Sequence, residues 1–135
     1  MGVGNRMKTQ TEQRYGRVPI DMADLERYKD GMILHYSWGY DMTFNEFCMI
    51  LEKVGKRLKC QPVRVEVKGS SHDIGGAKMF PTKEVIGEPF FITPTKTISR
   101  WDRKTYVRLP AKNDHSWGIE TEERMALGYY ENHND

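Results

Sequence analysis

Apolar and polar positions alternate most cleanly from Met32 to Trp38. Met32, Leu34, Tyr36 and Trp38 share one parity, and Ile33, His35 and Ser37 share the other. A period of two predicts a strand with its even face buried. Residues 44–54 carry two patterns at once. Thr43–Glu46 fits a capping box, with Phe44, Phe47, Cys48 and Leu51 at helical spacing and Gly55 as a stop. Phe47, Met49 and Leu51 also alternate, and the short run FCMIL suits a strand covered on both faces. Local pattern leaves helix and strand open here. Val54-Gly55-Lys56-Arg57 predicts a hairpin turn, with Gly55 supplying positive φ.

Beyond that turn the parity changes. Leu58 and Cys60 lie on one face, and Val63, Val65 and Val67 lie on the other. The change falls at Gln61–Pro62, which predicts a bulge or an edge in a long, bent strand. The Gly/Ser-rich run 68–78 reads as a loop. Further strands are expected over 77–82, 90–93, 95–98, 105–109 and 116–119. Residues 83–87 read as one helical turn, and 99–104 as a charged turn carrying Trp101. Near the start, Asp21 and Asp24 predict a short capped helix. Residues 124–130 pair as a last strand or swing free.

Together these elements predict a mainly β chain, a β-rich α+β fold. The expectation is a small antiparallel SH3-like barrel or rolled sheet with a short N-terminal helix. Residues 1–20 form a flexible polar tail, 21–119 a single β-rich domain, and 120–135 an acidic tail or last strand. At 135 residues the chain has the size of one domain. No apolar run nears the roughly 20 residues that span a bilayer, and the N-terminus has no apolar secretory core. The expected location is the cytoplasm, without membrane partners.

Charge is unevenly spread. Residues 53–112 carry fourteen basic and five acidic residues, against −2 for residues 1–52 and −5 for residues 113–135. A central +9 predicts an anion-binding surface or a solvated face offset by the acidic end. Cys48 and Cys60 form no CxxC, and the four histidines are scattered, so buried, reduced thiols are expected and no metal or other cofactor. The chain has no GxSxG, HExxH, P-loop or GxGxxG motif, which predicts a protein that is not an enzyme.

Residues 35–47, HYSWGYDMTFNEF, are similar to a motif of small phage and prophage proteins of unassigned function. In them an apolar strand leads to SWGYDQT, a second strand and a VxGK turn, matched here by Val54-Gly55-Lys56. Residues 78–89 resemble a later block of that pattern, and the likeness spans about residues 31–119. Met42 stands where the pattern has Gln. The resemblance implies phage origin, hence the host cytoplasm as location, and a strand over 46–54. It implies no chemistry.

The remaining candidate chemistry is aromatic and cationic. Tyr36, Trp38, Tyr40, Trp101, Tyr106 and Trp117 offer rings for stacking, with core packing as the alternative for Tyr36 and Trp38. Arg57, Lys59, Arg100 and Arg108 offer cations to phosphate. The expected ligand-binding set is Tyr36, Trp38, Tyr40, Arg57, Lys59, Arg100, Trp101 and Arg108, meeting on one exposed surface. The expected function is non-catalytic capture of a small phosphorylated, nucleotide-like ligand, such as a signal of host defence, by a homo-oligomer. Nucleic acid, and protein inhibition or a virion accessory role, are the alternatives.

Overall fold

A computed structural model describes residues 16–39, 44–69 and 77–131. Residues 1–15 of the expected 1–20 tail, and Tyr40 of the expected ligand set, lie outside them. The described chain is mainly β: β1 Arg17–Val18, β2 Ile33–Trp38, β3 Phe44–Val54, β4 Arg57–Lys68, β5 Ala77–Val85, β6 Phe90–Ile92, β7 Thr95–Ile98, β8 Thr105–Pro110, β9 Ser116–Ile119 and β10 Tyr129–Glu131. A six-residue helix, α1 (Glu122–Leu127), precedes β10. Every strand pair is antiparallel, in the order β1-β7-β8-β9-β2-β3-β4-β5-β10, with β6 also on β4.

Residues 44–54 are extended. Phe44 faces Trp38 and Met49 faces Ile33 across the β2–β3 ladder. Burial explains the doubled pattern in this run. Cys48 and Ile50 point into one apolar cluster with Leu34, Leu58, Cys60, Ile92 and Leu109. Phe47 points the other way, into a second cluster with Ile33, Val63 and Tyr129. A strand covered on both faces needs no polar alternation, so its residues mimic helical spacing. Each fully buried Leu or Ile in these clusters contributes about 1.5–3 kcal/mol.

The same two cores account for the parity change in β4. Leu58 and Cys60 serve the first cluster; Val63 and Val65 serve the second. The strand passes from one core to the other with its alternation intact. The irregularity expected at Pro62 falls elsewhere, between Ile50 and Glu52 against β4 and between Val63 and Val65 against β5. Pro62 itself faces Cys48, and its carbonyl accepts a hydrogen bond from Ile86 N–H at 2.8 Å.

Several expectations change. The hydrogen-bonded path through the sheet is open rather than closed. One 3₁₀ turn, Met22–Leu25, stands where a short helix was expected, closed by reciprocal Asp21 and Asp24 caps. Residues 83–85 continue β5 instead of coiling, because Val85 pairs with Val63. Among the described residues strand pairing begins at Arg17, which faces Thr97. The acidic end folds back: Thr121 caps α1, Gly128 ends it, and β10 lies along β5. No helix among the described residues is long and apolar enough to cross a membrane.

Candidate functional site

The first core opens on one side into a cleft of about 530 Å³. Its lining comes from six parts of the chain. Tyr36 of β2, Glu46 and Phe47 of β3, and Pro62 of β4 form part of it; Phe90 to Ile92 of β6 and Trp117 of β9 add to it. Pro110 to Lys112, where β8 ends, complete the rim. The surface is aromatic and aliphatic, with Glu46 and Lys112 as its charged members.

Tyr36 is 7% exposed. Trp117 meets its ring edge-on, with centroids 4.6 Å apart, and His115 stacks on it at 5.7 Å. Phe90 lies 6.1 Å from Trp117 in a near-parallel arrangement. Such rings fix one another and leave a firm apolar wall. Burial, and then the charge of Glu46, push the Tyr36 hydroxyl above its ordinary pKa, so it stays protonated at neutral pH. Trp38 stacks on Phe44 at 4.6 Å, and its indole N–H donates to Glu46 Oε2 at 2.9 Å. Trp38 therefore orients the acidic member of the cleft.

Arg57 is outside the lining of the cleft. Its guanidinium sits 4.2 Å from the centroid of Phe91, which lines the cleft. Lys59, half-buried, faces Phe91 across the β4–β6 ladder. Of these four expected residues, Tyr36 lines the cleft and Trp38 holds its Glu46, while Arg57 and Lys59 lie with Phe91 on the face of β4 opposite to Leu58 and Cys60.

Arg108 has a different task. Its Nη2 donates to the carbonyls of Asp114 and His115 at 2.6 and 3.0 Å, and its Nε donates to Ser116 Oγ. The side chain clamps the connection between β8 and β9. Asn113 and Asp114 there adopt positive φ of 55° and 63°, so the clamp holds a bent backbone. Arg108 thus has a structural task in the β8–β9 connection, and it is outside the lining of the cleft.

Arg100 and Trp101 belong to a separate place. They sit in the turn between β7 and β8, and the ladder from Ile98–Thr105 to Thr95–Arg108 separates that turn from Pro110. At about 3.3 Å per residue the turn stands roughly 15 Å from the cleft. The expected single surface is therefore split in two. The basic set is also dispersed. Arg64 pairs with Glu84, Lys83 with Glu122 of α1, and Lys96 with Asp24, at 2.6, 2.9 and 3.0 Å.

Sequence reasoning missed Phe90, Phe91, Lys112 and Glu46. Phe90-Phe91 was legible as a strand; nothing local tells that its partner strand places it beside Tyr36. No family model matches this chain, and no curated protein or solved structure does.

Proposed function

We propose that this protein captures a small planar, anionic ligand of nucleotide type without transforming it. The ring would enter the aromatic cleft, with its phosphate toward Lys112 at the rim. The cleft walled by Tyr36, Trp117 and Phe90 carries this reading. Apolar concave sites with few charged groups suit a flat ring, and a cation at the rim suits its charge. The carboxylate of Glu46, held by Trp38, would accept N–H groups from the ring edge. We further read β2, β3, β4, β6–β7, β8 and β9 as a small SH3-like barrel, with the bent β6–β7 segment bridging its open side. The likeness of residues 35–47 to phage proteins supports a counter-defence role, and nucleotide signals of host defence are the first ligands to test.

A panel of cyclic and linear nucleotides should contain a compound that raises Tm and is recovered intact after denaturation. Such binding stabilises the folded chain by mass action. Phe91→Ala and Lys112→Glu should each weaken it by at least tenfold while leaving the unliganded Tm within about 2 °C. A flat panel, or recovery of a cleaved nucleotide, would refute the reading.

A further inference from the structure

We propose that the β7–β8 turn is a contact for single-stranded nucleic acid, with a base stacked on Trp101 and backbone phosphates held by the cations around it. Trp101 is 92% exposed, and Tyr106, at the start of β8, is 50% exposed. Arg100, Arg103 and Lys104 share the turn. A large ring and three cations within five residues match the two needs of a strand with unpaired bases, a π-face and countercharge.

The turn holds its shape. Ser99 N–H donates to Lys104 O and Arg103 N–H to Ser99 O, both at 2.9 Å. Trp101 N–H donates to Ser99 Oγ at 3.2 Å, and Lys104 N–H to Asp102 Oδ1 at 3.0 Å. The Tyr106 hydroxyl donates to Asp102 Oδ2. Arg103 takes φ of 59°, a conformation that an L-residue adopts at some cost. The backbone that carries the indole is thus held in place. With the backbone already fixed, stacking has to order only the side-chain torsions of Trp101.

The chemistry selects among polyanions. A duplex hides its base faces, so the ring could not stack on them. A bilayer would have to draw Asp102 out of water along with Trp101, and burying that carboxylate is costly. A single strand stacks on the ring from solvent and leaves Asp102 wet.

This site is independent of the cleft, and the test separates them. Fluorescence anisotropy with labelled dT15 and U15 on the full chain should show binding that weakens with salt. Three phosphate contacts on a single strand give a log–log slope of about −2, so affinity should fall roughly 20-fold between 50 and 200 mM salt. Trp101→Ala should weaken binding at least about fivefold, and Trp101→Phe should recover most of it. The double change Arg103→Gln, Lys104→Gln should reduce the slope to about −0.7. Phe91→Ala, in the cleft, should leave oligonucleotide binding unchanged. Absence of binding at 50 mM salt, equal binding by Trp101→Ala and the parent, or binding to phosphatidylglycerol vesicles but not to oligonucleotide would each overturn the proposal.

Discussion

His35 Nδ1 lies 3.3 Å from Glu120 Oε1, so β2 is tied to the segment that enters α1. His35 Nε2 meets Asn45 Oδ1 at 2.8 Å, and the Tyr129 hydroxyl donates to the other Glu120 oxygen. The Arg124 guanidinium sits 4.1 Å over the Tyr129 ring. A polar chain thus crosses the second core and fastens the C-terminal segment over the central strands.

Burial raises the Glu120 pKa above its ordinary value, and the charges of His35 and Arg124 offset only part of that. The folded state then holds this proton more tightly than the unfolded chain. The contribution of Glu120 to stability falls as pH rises from the unfolded glutamate value, about 4.3, through the folded one. Glu120→Gln removes the titration. The Tm of the parent minus that of Glu120→Gln should therefore decrease between pH 4.5 and pH 7. A difference that grows with pH would mean that the pairing with His35 outweighs burial.

Arg108→Ala should act at a distance from the ligand. Loss of three donors frees residues 111–116, which carry the Lys112 rim. Amide exchange there should quicken, and affinity for a ligand of the proposed kind should drop although Arg108 is not among the residues that line the cleft. Lys should not restore the parent behaviour, because one ammonium cannot reproduce the forked geometry. Unchanged exchange in Arg108→Ala would remove the clamp from the account.

Two glycines with positive φ should respond differently to alanine. At Gly55, φ is 62° and a Cβ meets nothing within 4 Å, so strain alone costs about 1–2 kcal/mol. At Gly128, φ is 80° and a Cβ would lie 2.7 Å from the Phe80 ring. Gly128→Ala should be the more destabilising in urea titration, by at least about 1 kcal/mol, since a ring must move as well. Equal losses would show that Phe80 yields freely.

Cys48 and Cys60 are fully buried and unbridged. The contact with Cys60 and then burial push the Cys48 thiol well above its ordinary pKa. A thiol without thiolate character is a poor nucleophile. Iodoacetamide should label neither residue in the native protein, and labelling should begin with unfolding in urea. Rapid native labelling of either would contradict this packing.

Much of the fold was legible. Alternation over Met32–Trp38, the Gly55 turn and the broken 90–98 run all report local geometry. What stayed hidden was tertiary. Phe47 and Cys48 read ambiguously because each face of β3 meets a different core. Residues 83–85 read as a turn because their pairing partner, Val63, is some twenty residues away in sequence. The helix at 122–127 was signalled by Thr121, Glu122, Glu123 and Gly128, but the acidic composition masked that pattern. The cleft was half legible: alternation marked Tyr36, while Phe91 and Lys112 reach it only through long-range strand pairing. The cations read as one surface because sequence clustering carries no information on which acid each one meets.

The two-sided central sheet also sets how quickly the native state can be reached. The first core is incomplete until Leu109 joins Leu34 and Cys48, and the second until Tyr129 joins Ile33 and Phe47. Both closures span long loops, whose entropy must be lost before any contact compensates for it. Refolding on the millisecond-to-second scale is the expected outcome, far slower than for a helical chain of equal length.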